Sequence, residues 1–198
     1  QMARALGMNN TQFRNANGLT TPGHYSTARD MTTLGRRLFY DFPQYYSIFS
    51  RRSADAGIAT VSSTNKRFLD SYEGADGIKT GYTRAAGFNL TASAKRGSKR
   101  IVATVLGGTS TAHRNAVMAQ LLDAGFGQAP TRVREEKPAP PQFVAEKKLR
   151  RTVQVARAEP VAPVAAEPAA EPTAEPAARL SASERPVASI AFEAGFGS

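Results

Sequence analysis

The sequence predicts an α/β unit of the α+β kind over residues 1–128, an antiparallel sheet flanked by helices, followed by a disordered tail over residues 129–198. Three observations carry this expectation. Residues 1–128 hold 13 of the 16 Phe and Tyr and only two prolines, Pro22 and Pro43, so they can bury a core. Residues 129–198 hold the other ten prolines, nine Glu, no Asp and three aromatics, too little apolar surface to offset the entropy of ordering them. Within the first part, the apolar spacing changes from helical to alternating and back again.

In chain order, Gln1-Met-Ala-Arg-Ala-Leu-Gly7 reads as the end of a helix closing on a glycine. A helix that short is marginal alone. The first residue is Gln, and no charged segment followed by an apolar one precedes the loop. The expectation is a chain that starts within a longer protein. After an Asn, Thr and Gly-rich loop, Ser26 or Thr27 is the N-cap of a helix. Thr27-Ala-Arg-Asp30 has the form of a capping box. Met31, Leu34, Leu38 and Phe39 share one helical face, and Pro43 stops the helix soon after Tyr40. Residues 44–50 allow one more helical turn, and residues 57–69 read as extended and then loop. Three strands follow, over residues 77–83, 87–94 and 100–106, with Arg96-Gly-Ser-Lys99 turning the last hairpin. Ser110 or Thr109 caps a last helix carrying Val117, Met118, Leu121 and Leu122, with Gly125 at its end. Met31 and Met118 are expected in the core.

Composition excludes several functions. There is no Cys, so a disulfide framework and a thiolate metal site are out, and two histidines, His24 and His113, leave little for a His-based site. No apolar run approaches the ~20 residues of a membrane-spanning helix. Residues 1–128 carry 16 Lys and Arg against seven Asp and Glu. These charges are scattered without a nucleic-acid motif, so no nucleic-acid partner is expected. From Ala158 the tail is a run of Pro, Ala and Glu, read as an extended spacer, with a further module beyond residue 198 as the open possibility at its end.

The sharpest chemical signal is Lys79-Thr80-Gly81 on a predicted strand, set within Asp76-Gly-Ile-Lys-Thr-Gly-Tyr-Thr83 and followed by Ala86-Gly-Phe-Asn-Leu90 and Val105-Leu-Gly-Gly108. Upstream stand Leu6-Gly-Met-Asn-Asn-Thr-Gln-Phe13, Asn17-Gly-Leu19, His24-Tyr-Ser-Thr-Ala-Arg-Asp-Met31 and Asn65-Lys-Arg-Phe-Leu-Asp70, and downstream Leu121-Leu-Asp-Ala-Gly-Phe126. Over about residues 1–128 this ordered set resembles the serine D-alanyl-D-alanine carboxypeptidases, the low-molecular-mass penicillin-binding proteins. The resemblance implies part of a penicillin-binding protein/β-lactamase-like transpeptidase fold. It also implies a periplasmic enzyme that trims the terminal D-Ala of peptidoglycan stem pentapeptides through an acyl-serine intermediate, is acylated by β-lactam antibiotics, and needs no metal or organic cofactor.

The catalytic set of such acyl-serine enzymes is S-x-x-K, S-x-N and K-T-G. By resemblance, Lys79 places a cation beside the nucleophile and the substrate carboxylate. Thr80 offers a hydroxyl to that carboxylate, and Gly81 leaves room for substrate to lie along the strand. The Tyr82 backbone N–H is the second oxyanion-hole donor, a type of contact worth about 3 kcal/mol in serine hydrolases. Arg114 resembles the arginine that grips the terminal carboxylate with its bidentate fork. The nucleophile is expected upstream of Gln1. Ser63-Thr-Asn-Lys66 satisfies S-x-x-K by accident, because only 16 residues separate Ser63 from Lys79 and the surrounding sequence resembles the loop before the K-T-G strand. Ser26 reads as a helix cap, His24 as a loop hydrogen-bonder and His113 as exposed. Asp76 is either a turn residue or one that positions the strand. The chain alone is thus expected to be inactive. The alternatives are a non-catalytic peptidoglycan-binding scaffold and a β-lactamase relative.

Overall fold

A computed structural model describes residues 1–132, 135–141 and 190–194. The Pro/Ala/Glu run, the basic segment around Lys147 and Phe196 lie outside the described residues.

Helix α1 (Met2–Ala5) is a single turn. Gly7 N–H donates to Arg4 C=O and Met8 N–H to Ala3 C=O, with Gly7 at φ +83°. This pair of bonds satisfies the last helical carbonyls and buries Met8. The loop that follows folds back on helix α2 (Ala28–Asp41). Thr27, not Ser26, is the cap, accepting from Asp30 N–H. The Ser26 hydroxyl instead pairs with Thr11. Asp30 does not close a capping box, because its carboxylate accepts from Asn10 N–H and the Thr11 hydroxyl. Long-range donors from the loop win it. After Phe42, α3 (Pro43–Tyr46) and a 3₁₀ turn (Ser47–Ser50) supply the expected extra helical turn.

Residues 57–69, expected to be extended and then loop, hold the extended part, but a helix forms at the end. Strands β1 (Ser53–Asp55) and β2 (Thr60–Ser62) form an antiparallel ribbon, and helix α4 (Lys66–Ser71) follows. Its reason is tertiary: Phe68 and Leu69 are buried, and Phe68 stacks on Tyr72 at 5.3 Å, an i,i+4 pair that only a helix brings together.

Strands β3 (Ala75–Thr83), β4 (Gly87–Arg96) and β5 (Lys99–Gly108) form an antiparallel meander. Strand β6 (Ile190–Ala194) pairs with β5, giving the order β3-β4-β5-β6. The peptide between Gly77 and Ile78 is cis. Helix α5 (Thr111–Gln128) is capped by Ser110 and covers one face. There Met118 and Leu122 pack on Leu90, Ala92, Ile101, Ala103 and Val105, all buried. The helix runs three residues past Gly125, which is no C-cap. A Cβ there would stand 2.9 Å from Ile101, so that glycine permits close packing of helix on sheet.

The other face is covered by α2, and its packing is unexpected. The residues pressed on the sheet are Ala28, Thr32 and Gly35, with Thr32 joined through its hydroxyl to Thr104, and Thr104 to Thr91, at 3.0 Å each. The apolar stripe Met31, Leu34 and Leu38 is only half-buried and lines a cleft. Met118 is core; Met31 is not. A small-residue face lets the helix approach closely, which leaves the larger side chains beside the contact rather than in it.

Helix α5 ends at Gln128, but packed chain continues past the boundary expected there. Beyond it, Ala129 is buried and its carbonyl accepts from Lys99. Residues 135–141 run against α2, where Arg36 and Arg37 donate to the Glu136 and Ala139 carbonyls at 2.6 Å.

Candidate active site

K-T-G lies on β3, the edge strand of the sheet. No described strand claims its outer row of N–H and C=O groups, so an extended ligand can add there as a further strand. Side chains alternate along β3: Ile78 and Thr80 are buried, while Lys79 and Gly81 are exposed. The Lys79 ammonium donates to the Thr80 carbonyl at 2.5 Å. Among the described residues it makes no ion pair, so its charge remains available to an anion. Thr80 shares a hydrogen bond with the Thr64 hydroxyl at 2.6 Å. Tyr82 is 60% exposed, its ring 4.4 Å from that of Phe88, which leaves the role expected there to its backbone.

Arg114 reaches the same strand pair from α5. Its Nε and Nη2 donate to Asn115 Oδ1 at 3.1 and 2.9 Å, and Nη1 to the Asn89 carbonyl at 3.4 Å. Asn89 is the cross-strand partner of Gly81. The tertiary fold therefore brings Arg114 within one strand of Gly81, although 33 residues separate them in sequence. Its side chain is buried, and desolvation pushes the guanidinium below its ordinary pKa. No described carboxylate pairs with it.

A cleft of about 290 Å³ opens beside Lys79, Thr80 and Gly81, walled by Met31, Leu34, Leu38 and Ile78. A second, of about 490 Å³, is lined by Phe13, His24, Tyr25 and Gly107, and shares Met31, Asn89 and Leu106 with the first. His24 accepts from Arg14 N–H and His113 from Thr109 N–H, so both serve their loops. In the S-x-x-K decoy, Ser63 Oγ accepts from Asn65 N–H while Lys66 pairs with Asp70; the two groups face different partners. Among the described residues no cluster of His, Asp and Glu is placed to hold a metal ion, and no helix is long and apolar enough to cross a membrane.

Several site residues escaped sequence reasoning. Thr64 and Asn89 stand in quoted segments, but only the fold sets one against Thr80 and the other between Gly81 and Arg114. Next to Thr64, Asn65 is buried with both side-chain amide atoms lacking a partner among the described residues, a costly state.

Comparison with known proteins identifies the class. The family model described as D-alanyl-D-alanine carboxypeptidase (peptidase S11) matches residues 1–110, and the chain belongs to that family. D-alanyl-D-alanine carboxypeptidase DacF of Bacillus subtilis is 42% identical over 134 residues, 65% of this chain and 34% of DacF. DacA of Escherichia coli is 40% identical over 122 residues, 62% of this chain and 30% of DacA. The chain thus spans about a third of the length of the curated relatives it matches. Among solved structures, penicillin binding protein 5 of Haemophilus influenzae superposes with a TM-score of 0.61 at 33% identity, over 64% of this chain and 37% of that one. Penicillin-binding protein D2 of Listeria monocytogenes, solved in a cefotaxime-bound form, gives 0.58 at 33% identity, over 63% and 52%.

Proposed function

We propose that the protein is a serine-type D-Ala-D-Ala carboxypeptidase of the cell envelope, to which this chain contributes the substrate-binding strand. The observation that carries the reading is Lys79, an ammonium without a counter-ion among the described residues, on an open sheet edge beside a cleft whose α2 wall is apolar and half-covered. Half-buried Met31, Leu34 and Leu38 favour a further apolar element against them, the seat for polypeptide that carries the nucleophile.

In the proposed reaction a stem pentapeptide lies along β3 with its terminal carboxylate between Lys79, the Thr80 hydroxyl and Arg114. A serine outside this chain gives its proton to an adjacent lysine and attacks the carbonyl carbon of the penultimate D-Ala. The Tyr82 N–H stabilises the resulting oxyanion. The tetrahedral adduct collapses, the amide C–N bond breaks, and the terminal D-Ala leaves after its nitrogen accepts a proton. Water then cleaves the acyl-serine ester. A β-lactam enters the first half of this sequence, its ring nitrogen taking the place of the departing amine.

Lys79→Ala in the full-length protein is expected to abolish acylation by a fluorescent penicillin while leaving the unfolding midpoint near its parental value, because the side chain is exposed. Unimpaired labelling would remove Lys79 from the site. The 198-residue chain alone is expected to release no D-Ala from a D-Ala-D-Ala peptide, and turnover there would refute the assignment of the nucleophile to other polypeptide. A full-length protein that neither labels nor turns over peptide would favour a non-catalytic wall-binding scaffold.

A further inference from the structure

At the start of β3 the ladder is irregular. Ala75 pairs with Ala94 and Gly77 with Ser93, so Asp76 is an extra residue on β3, a β-bulge. Such insertions re-aim the strand beyond them. The Asp76 carboxylate accepts from Arg100 Nη1, and the same nitrogen donates to Ser93 Oγ at 2.9 Å. Tyr46 donates to the other Asp76 oxygen at 3.5 Å. The Arg100 guanidinium lies 4.5 Å from the Phe39 ring centre and 5.6 Å from that of Tyr46, and the residue is 9% exposed. One side chain thus ties β5, β4 and β3 together at a single level, three residues before Lys79.

The remainder of β3 specifies its register weakly. It holds two glycines, Gly77 and Gly81, and Ile78 is its one large buried apolar side chain. In a strand with period two, a slip of one residue moves every side chain to the opposite face. It would take the Lys79 ammonium off the face it shares with its cross-strand partner Thr91, away from the cleft that α2 walls. We propose that the Asp76–Arg100 clamp fixes the register of β3, and with it the face from which Lys79 meets substrate. Asp76 and Arg100 are then positioning residues for the reaction, an assignment that rests on the function proposed above. A buried ion pair is weak evidence of stabilisation in itself, since an apolar replacement of both partners is often neutral. This separates a structural role from a positioning one.

The test uses the full-length protein and three versions of it: unsubstituted, Asp76→Asn, and the double variant Asp76→Asn with Arg100→Met. For each, the acylation rate constant with fluorescent penicillin is measured per labelled site, with the final labelled fraction, the melting temperature, and kcat and KM for a D-Ala-D-Ala peptide. Asp76→Asn leaves a buried guanidinium unpaired, so both melting temperature and acylation rate are expected to fall. The double variant is expected to recover melting temperature while its acylation rate stays at least about tenfold below the parent, with the loss in kcat rather than KM. If the double variant acylates within about twofold of the parent, the clamp is structural only and the proposal is overturned. The same holds if Asp76→Asn alone leaves the rate unchanged. An unsubstituted protein that takes no label overturns the catalytic reading itself and the positioning role with it, an outcome distinct from labelled variants of unchanged rate.

Discussion

Two cations dominate the candidate site, and they differ in kind. Lys79 is exposed and, among the described residues, tethered only to the neighbouring Thr80 carbonyl, so it can follow a ligand at small cost. Arg114 is buried and held by Asn115 and Asn89, which fixes its geometry but leaves its charge without a described anion. A hydrogen bond between charged partners contributes about 1.5–3 kcal/mol, or roughly one to two decades in affinity. Arg114→Ala is therefore expected to lower kcat/KM for a D-Ala-D-Ala peptide by about ten- to a hundredfold. Acylation by penicillin, driven by its strained ring, is expected to fall less. Equal losses in the two rates would mean that Arg114 does not discriminate the peptide carboxylate. The K-T-G triplet and its candidate oxyanion donor Tyr82 stand in one contiguous segment, which is why the sequence marks them as candidates, while Arg114 is a candidate by resemblance alone. The partners that give them geometry, Thr64, Asn89 and Asn115, were not, since nothing local states which hydroxyl or amide a distant strand will meet.

At the scale of elements, the three strands of the meander were legible to within two residues at each end, because alternation and turn glycines are local signals. Helix α4 was not, since six residues acquire a helical preference only when Phe68 and Leu69 find the core. The entry to β3 is the least forgiving joint. Gly74 has φ +82°, and a Cβ there would stand 2.2 Å from the Lys95 carbonyl oxygen. Lys95 N–H in turn donates to the Gly74 carbonyl at 2.9 Å, so the backbone cannot give way without breaking the ladder. Gly97 has φ +59° but open space around it. Gly74→Ala is expected to destabilise by more than about 2 kcal/mol, and Gly97→Ala by about 1 kcal/mol from backbone strain alone. Urea unfolding midpoints of the two variants measure the difference. Equal shifts would show that the Lys95 contact yields.

For the molecule as a whole, three tyrosines resist ionisation in the folded state. Burial, followed by the nearby Glu135 charge, pushes the Tyr40 hydroxyl up to about 12. Tyr46 is raised by burial and then by the Asp76 charge, and Tyr72 by burial and then by its hydrogen bond to Asp123. Each holds its proton when folded and loses it near 10 when unfolded. Stability from these groups is thus fully present below pH 10 and is lost as pH rises toward and beyond 12. Tyr46→Phe keeps the ring and removes the titration, so its melting temperature is expected to fall less steeply than the parent's between pH 10 and 12. Parallel slopes would show that Tyr46 ionises freely when folded. The sequence by itself determined the antiparallel meander, the helices that flank it, the K-T-G strand and the family, because periodicity, caps and contiguous motifs are written in neighbouring residues. Only the tertiary structure decided that α2 meets the sheet through Ala28, Thr32 and Gly35, leaving its larger side chains to wall the cleft. Only it carried Arg100 across two strands to Asp76 and set Arg114 against Asn89, the cross-strand partner of Gly81. Those choices depend on which faces can approach most closely and on which buried charges find partners, and both are settled between residues far apart in the chain.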